Sequence, residues 1–258
     1  MADRALQIAT NRDPLANPTK FAEPVREAGG YVVFSAGEVG VAHVMAHRLL
    51  DEGRIDLGHQ RLGAWLDGRK GVGSQWVHLQ FHMGVFELAL GRWNDAYTRF
   101  MTETLPAATK TQDALTDAPA LLWRLALSAP APVELPWQAV HRTALSNLER
   151  SPDAFVELHH LLALAGASDL ASIERWLQAR SLGTRSHRDH IVYRVALALK
   201  AYVSRAYEQA AIGLARLAPF LSDLGGSHAQ RQLFSEIERS SWQRVREAAV
   251  APLGSGVD

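Results

Sequence analysis

The chain of 258 residues contains no cysteine. This absence excludes disulfide bonds, a thiolate nucleophile and every zinc site that uses cysteine ligands. An excess charge is also missing, because Lys and Arg together number 27 and so do Asp and Glu. The chain therefore lacks the basic bias that is typical of nucleic-acid-binding proteins, and we expect no nucleic-acid partner.

Long apolar runs are missing as well. No stretch reaches the roughly 18 consecutive apolar residues that a transmembrane helix requires. The first residues, MADRALQIATNRDP, carry charges where a secretory signal has its apolar region. We therefore expect no membrane partner and a cytoplasmic protein. Strand signals are weak, since YVVF at 31–34 is the only notable β-branched cluster, and the sequence predicts an all-α fold.

An internal repeat is the main positive feature of the sequence. A tetratricopeptide repeat is a helix–turn–helix unit of about 34 residues. Its small and aromatic positions are matched by Gly84, Gly91, Ala96 and Phe100. The same offsets occur earlier at Ala46, Gly53, Gly58 and Leu62. Small residues let two helices approach closely, and glycine ends the first helix in a left-handed turn. Each pair buries a face that it cannot bury alone, so successive units stack.

Further units are predicted at 155–179, with Gly166 at the turn, and at 191–221, with Ala198 and Ala211 in the small positions. An apolar helix, a proline-rich break and a second helix separate the second unit from the third. The predicted organisation is a partly irregular N-terminal segment over 1–37, a tetratricopeptide-like α-solenoid over 38–250 and a C-terminal tail over 251–258.

Five motifs occur in a fixed order along the chain: VAHVMAHRLLDEGR, HLQFHMGVFELALGRWNDA, DAPALLWRL, FVELHHLLALAGA and GGSHAQRQLF. Together they resemble the successive motifs of the tetratricopeptide repeat protein 38 family, over about residues 38–236. The resemblance implies a helical repeat fold and draws attention to the histidine motifs, but it implies no particular reaction. Members of the family carry further repeats before the first histidine motif, so we expect a form shortened at the N-terminus.

Histidines occur twice at a spacing of four, as His43 with His47 and as His78 with His82. Residues four apart on a helix share one face, and this is the geometry by which two helical histidines chelate a metal ion. Both pairs fall on the first helix of their units. Such first helices line the concave face of the array and run about 8–10 Å apart, so the imidazoles of neighbouring units can share one ion.

The third unit adds Glu157, nine residues before Gly166 and so at the level of His82, and His159. His160 is the alternative if the repeat register differs. The predicted metal ligands are His43, His47, His78, His82 and His159, and a histidine-rich set suits Zn²⁺ or Fe²⁺. The predicted catalytic residues are His43, His82, Glu157 and Asp117. They would serve either a metal-bound water or, without metal, acid–base chemistry between imidazoles with different pKa values.

Substrate-binding candidates surround this predicted pocket: Arg124, His228, Gln230 and Arg231. Arg124 lies in an apolar helical run, so it must pair with an acid such as Asp117 or Glu157. GGSHAQR predicts an N-cap at Ser227 and a helix that begins near His228. Arg231 could then bind a carboxylate or a phosphate beside the helix N-terminus, although an ordinary cap is the simpler alternative.

These features favour an enzyme that acts on a small molecule in a His/Glu pocket, with metal-assisted or acid–base chemistry. Three alternatives stay open: a polar groove that binds a ligand without chemistry, purely structural histidines, and a non-catalytic adaptor whose groove binds a peptide or protein partner. A homodimer formed through the N-terminal segment is also possible on this sequence.

Overall fold

The computed structural model describes residues 26–28, 31–33, 36–71, 73–110, 115–151, 153–181 and 186–250, and these are predominantly helical. The predicted all-α class is thereby confirmed. A short antiparallel pair of strands, β1 (Arg26–Ala28) and β2 (Tyr31–Val33), lies within the segment predicted to be partly irregular. The predicted tail at 251–258 falls outside the described residues.

Twelve α-helices follow in the described part of the chain. They are α1 (Ala36–Asp51), α2 (Ile55–Leu66), α3 (Ser74–Ala89), α4 (Trp93–Arg99), α5 (Leu105–Ala108), α6 (Asp117–Ser128), α7 (Trp137–Asn147), α8 (Ala154–Gly166), α9 (Leu170–Arg180), α10 (His187–Val203), α11 (Tyr207–Leu217) and α12 (His228–Val250). A π-helical segment, Phe100–Thr104, joins α4 to α5. Among the described helices, none combines the length and the apolar character that crossing a membrane demands.

Four helix pairs, α1–α2, α3–α4, α8–α9 and α10–α11, are joined by turns of one design. Each turn contains one left-handed residue, with φ of 66°, 72°, 59° and 62° at Gly53, Gly91, Ser168 and Arg205 respectively. The N–H of each left-handed residue donates to the carbonyl three residues back, and the next N–H donates five residues back. This pattern caps the carbonyls at the end of the first helix, as glycine-ended helices do.

The third turn corrects a prediction. Gly166 was expected at the left-handed position, but it is the last residue of α8, and Ser168 takes the left-handed conformation instead. Gly166 is small for another reason, because a Cβ there would lie 2.1 Å from the ring of Trp137. The repeat frame of this unit is therefore two residues later than the sequence predicted.

Close helix contacts explain two other small residues. A Cβ at Gly58 of α2 would lie 2.1 Å from the buried ring of Phe86 on α3. A Cβ at Gly84 of α3 would lie 3.0 Å from Leu121 on α6. Glycine at these positions thus allows each helix to pack tightly against the next unit.

The first helices of the pairs form a continuous row, in which α1 contacts α3, α3 contacts α6, α6 contacts α8 and α8 contacts α10. The pair α6–α7 belongs to this row, although a proline-containing link over 129–136 replaces the left-handed turn. As a result, α6 lies between α3 and α8, the two helices that carry His82 and Glu157.

The last helix, α12, extends over 23 residues. It packs on α11 and also contacts α6 and α1. Three of its side chains, those of His228, Gln230 and Glu236, bond to residues of α1 or α6. The chain itself therefore occupies part of the face that the row of first helices presents.

Candidate metal centre

The four-histidine cluster consists of His43 and His47 on α1 with His78 and His82 on α3. Their ligating nitrogens all lie within 4.8 Å of one another. The Nε2 of His47 is 2.6 Å from that of His43, and the Nε2 of His82 is 3.1 Å from those of His47 and His78. Two nitrogens that bind one tetrahedral zinc ion stand about 3.3 Å apart, given bonds of about 2.0 Å. These four residues could therefore hold a metal ion.

Local geometry explains the convergence. The spacing of four residues brings the ring centroids of His43 and His47 to 4.2 Å, and those of His78 and His82 to 4.5 Å. Because α1 and α3 contact each other, the two pairs face one another, with centroids of His47 and His82 4.5 Å apart. The helical period and the repeat together produce the cluster.

Asp117, the first residue of α6, orients one of the rings. Both of its carboxylate oxygens lie 2.9 Å from Nδ1 of His78. Nδ1–H of His78 therefore donates to Asp117, and in the neutral ring this leaves the lone pair on Nε2, which faces His82. The amide of Gln230 on α12 donates to the same carboxylate over 3.3 Å. A carboxylate behind a histidine in this way is the usual support of a metal ligand.

Burial and mutual repulsion set the charge of the cluster. Burial, with repulsion from His78 and His47, lowers the pKa of His43 to about 4. The pKa values of His47 and His82 are lowered by burial and by His78 in the same way. For His78, burial lowers the pKa, but the charge and hydrogen bond of Asp117 outweigh it and raise the pKa overall. Three of the imidazoles are thus neutral near pH 7, which is the form that binds metals.

His82 is the most deeply placed of the four and is fully buried. Its Nδ1 is buried and has no hydrogen-bond partner among the described residues. A charged His82 would bury an unpaired N–H, and this is costly. The ring is therefore confined to the neutral state by its surroundings, with the edge of the Phe81 ring 5.4 Å away between centroids.

A cavity of about 260 Å³ adjoins the cluster. It is lined by Val39, His43, Ser74, Gln75, His78, Thr116, Asp117 and Gln230. Ser74 and Gln75 are exposed, so the cavity communicates with solvent on their side. A small molecule in this space would contact the His43 and His78 side of the cluster.

Four lining residues, Val39, Ser74, Gln75 and Thr116, were not predicted from the sequence. Three of them had a detectable signal, since Val39 stands one turn before His43, and Ser74 and Gln75 stand one turn before His78. Extending the helical period by one turn would have found them. Thr116 directly precedes Asp117 and had no comparable signal.

Glu157 lies outside the cluster, and the prediction that it supplies the carboxylate of the histidine pocket is wrong. Nε1 of Trp176 donates to its Oε1 over 3.1 Å, and Arg180 forms an ion pair with the same carboxylate. Burial raises the pKa of Glu157, while Trp176 and Arg180 oppose this shift. The physical reason for the error is α6, which separates α8 from α3, so that Asp117 takes the expected place of Glu157.

The prediction that His159 is a fifth ligand is also wrong. Its Nδ1–H donates to the carbonyl of Phe155 over 2.8 Å, and it is not among the residues that converge. The alternative, His160, donates from Nδ1 to Oγ of Ser151 over 2.8 Å, because the Ser151 hydroxyl itself donates to Leu148. Both α8 histidines are bonded within their own neighbourhood.

Arg124 pairs with an acid that the sequence pattern does not indicate. Its Nε lies 3.0 Å from Oε2 of Glu236 on α12, and its guanidinium also donates to the carbonyl of Ala229. The predicted partners, Asp117 and Glu157, are engaged elsewhere. Arg124 therefore attaches α12 to α6, and its centre lies 5.9 Å from the ring of Phe81.

The remaining substrate-binding candidates are divided by the structure. Gln230 lines the cavity, whereas His228 is exposed and lies 3.3 Å from Asp51. Arg231 donates to the carbonyls of Gly225 and Gly226, so it stabilises its own turn. Ser227 caps α12 as predicted, since Gln230 N donates to its Oγ over 3.1 Å.

Comparison of the chain with protein-family models, with curated proteins and with solved structures gave no match. The site alone therefore defines the class of protein, which is a helical protein with a four-imidazole cluster that could hold a metal ion. The resemblance to the tetratricopeptide repeat protein 38 family stays a prediction.

Proposed function

We propose that this is a tetratricopeptide-like solenoid protein, of the tetratricopeptide repeat protein 38 kind, that binds a small molecule beside the four-histidine cluster and acts on it as an enzyme. The cluster would hold Zn²⁺ or Fe²⁺. One observation carries the proposal: four imidazole nitrogens within 4.8 Å of one another adjoin a cavity of about 260 Å³.

The repeat character of the proposal is supported by the turns and by the row of first helices. Gly53, Gly91, Ser168 and Arg205 adopt one conformation and make one hydrogen-bond pattern at the same point of four helix pairs. Helices α1, α3, α6, α8 and α10 contact one another in sequence. Stacking of this kind, in which each unit contacts its neighbours, is typical of solenoids.

The chemistry is supported by the donor set and by its setting. Imidazole suits Zn²⁺ and Fe²⁺ alike. Four imidazole nitrogens fill a tetrahedral shell, so a substrate would bind as a fifth ligand, which Fe²⁺ accepts readily and Zn²⁺ accepts by expanding to five-coordinate. A metal ion with an exchangeable position would polarise a substrate or lower the pKa of bound water. Asp117 would hold the His78 ring in place, and Gln230 would hold Asp117.

Acid–base chemistry without metal is the second candidate, and the electrostatics favour it to some degree. The pKa of His78 is raised beside Asp117, while burial lowers that of His43 to about 4. Neighbouring groups whose pKa values are driven apart can act as acid and base. The metal content of the protein separates this candidate from the first.

An adaptor function receives less support. A peptide-binding groove needs a free concave face, but α12 contacts α1 and α6 and occupies part of that face. The cavity that is left offers histidines, one aspartate and small polar groups rather than the lysines and arginines of a carboxylate clamp.

Metal analysis tests the proposal directly. Untagged protein, resupplied with Zn²⁺ or anaerobic Fe²⁺, should bind about one equivalent, since the cluster offers one set of four ligands. His47→Gln should lose this ion and His228→Gln, an exposed histidine outside the cluster, should keep it. Less than about a tenth of an equivalent in the parent protein would reject the metal-assisted form.

Metal removal should also lower the thermal stability. At a free metal concentration of 100 Kd, binding to the folded state adds about 2.7 kcal/mol, and 1 kcal/mol shifts the Tm of a chain of this size by about 2–4 °C. Chelation should therefore lower the Tm of the parent and of His228→Gln by about 5–11 °C. The Tm of His47→Gln should not respond to chelator.

A further inference from the structure

We infer that the molecule taken by this cavity is a small monoanionic carboxylate that completes the coordination of the metal ion; the inference rests on the proposed function. Charge balance in the site favours such a ligand. Four imidazoles bind a metal in their neutral form, so a divalent ion keeps both charges. Asp117 is the only acidic side chain among the described residues that line the cavity, and it neutralises one of them.

One positive charge then remains beside the buried His82. Asp51 also acts on His47, but its side chain is exposed and paired with His228, so water screens its charge. Glu157, the other predicted acid, is bound by Trp176 and Arg180 and cannot supply the missing negative charge. An uncompensated charge beside buried groups is unfavourable, so a ligand of charge −1 is favoured over a neutral or cationic one. A carboxylate also provides the oxygen donors that Zn²⁺ and Fe²⁺ accept.

The shape of the site fixes where this ligand lies and how large it is. Of the four histidines, only His43 and His78 line the cavity, so the exchangeable position faces their side. A volume of about 260 Å³ corresponds to roughly nine waters at about 30 Å³ each. The ligand is therefore a metabolite-sized acid of about ten or fewer non-hydrogen atoms.

Polar groups around the cavity suit an anion. Ser74 and Gln75 place a hydroxyl and an amide at its exposed side, and both can donate hydrogen bonds to a carboxylate. Gln230 belongs to the first turn of α12, where the helix carries a partial positive charge. Its amide also donates to Asp117, the carboxylate that holds His78, so Gln230 lines the cavity and supports a metal ligand at the same time.

Cobalt substitution provides the test, because the visible bands of bound Co²⁺ respond to a new ligand. The Co²⁺-loaded protein is titrated with acetate, with acetamide as the neutral probe of the same size and with methylammonium as the cationic probe. We expect acetate to shift the bands in a saturable way and the other two to leave them unchanged. Bands that respond to acetamide as strongly as to acetate, or to none of the probes, would overturn the inference.

Two variants show where acetate binds. Gln75→Trp should fill the exposed side of the cavity, keep about one equivalent of Co²⁺ and weaken acetate by roughly tenfold or more. Gln209→Trp, at an exposed position on α11, is the control and should bind acetate as the parent does. Equal acetate affinity in both variants would overturn the inferred position. Failure of the parent to bind Co²⁺ at all would instead reject the proposed metal function.

Discussion

His82 in the four-histidine cluster and His159 on α8 occupy equivalent places and have different surroundings. Each is buried on a first helix, nine residues before the left-handed residue of its turn, which is Gly91 for His82 and Ser168 for His159. His82 faces two other imidazoles, whereas His159 donates to the carbonyl of Phe155. The difference lies in the adjacent helix, because α1 carries two histidines and α6 carries none. A position within the repeat does not make a metal site; the neighbouring unit does.

The largest expected effect comes from replacing His82 of the four-histidine cluster with glutamine, compared with the same replacement of His159 on α8. Structural zinc binding of about 10–16 kcal/mol is shared among four ligands, so one ligand is worth roughly 3 kcal/mol. His82→Gln should therefore weaken metal binding by at least about a hundredfold, and His159→Gln should leave it unchanged. Competition with a chromophoric chelator measures both affinities. Equal losses of metal affinity in the two variants would contradict the difference between the cluster and the α8 histidine.

The α8 histidines should contribute to acid stability and not to metal binding. Burial, with repulsion from His159, lowers the pKa of His160 to about 4, and its Nε2 is buried without a partner among the described residues. Between about pH 6.5 and pH 4 the unfolded chain binds a proton that the folded protein excludes, so the free energy of unfolding falls as the pH falls. The limiting loss is about 3 kcal/mol.

Urea denaturation of metal-free protein between pH 7 and pH 4 measures this loss. His43, His47 and His82 have lowered pKa values as well and contribute to the same decrease. His160→Leu should therefore remove up to about 3 kcal/mol of it, while His190→Leu, an exposed histidine of α10, should keep all of it. An unchanged pH dependence in His160→Leu would show that other groups control acid stability.

The smallest expected effect separates the two buried acids. Asp117→Asn removes the carboxylate behind His78 and should weaken metal binding by about 10–100-fold, as loss of such a partner does. Glu157→Gln breaks the pair with Arg180 and should lower the free energy of unfolding without changing metal affinity. Parallel chelator competition and urea titrations distinguish these outcomes. Equal metal affinities in Asp117→Asn and the parent would deny Asp117 its supporting role.

Much of the fold was predictable because periodicity records which face of a helix is buried. The spacing of His43 with His47 and of His78 with His82 predicted their shared face, and the glycines at 53 and 91 predicted two of the turns. A left-handed Ser168 was not predictable in the same way, since glycine is the residue expected there. Gly166 is the nearest glycine, but contact with Trp137, and not the turn, requires a small residue there.

Contacts between distant segments were the main source of error. The sequence predicts a helix pair between the second and third units, but the local pattern does not show that its first helix, α6, packs between α3 and α8. Glu157 was therefore predicted to lie in the pocket, where Asp117 is the carboxylate that the structure places. The start of α12 was predicted at Ser227, but its return to α1 and α6 was not. For that reason His228 and Arg231 were predicted to bind a substrate. In the structure His228 pairs with Asp51, and Arg231 donates to the turn before α12.

The contact of α12 with α1 has a consequence for how the molecule folds. In an open stack of helix pairs, each interface joins segments that are close in sequence, so the ends can unfold separately. Here the pairing of Asp51 with His228 and of Arg124 with Glu236 closes loops of more than a hundred residues. Long loops slow folding and couple the ends. Truncating the chain at residue 227, which removes α12, should therefore destabilise α1, the helix that carries His43 and His47, although neither histidine is removed.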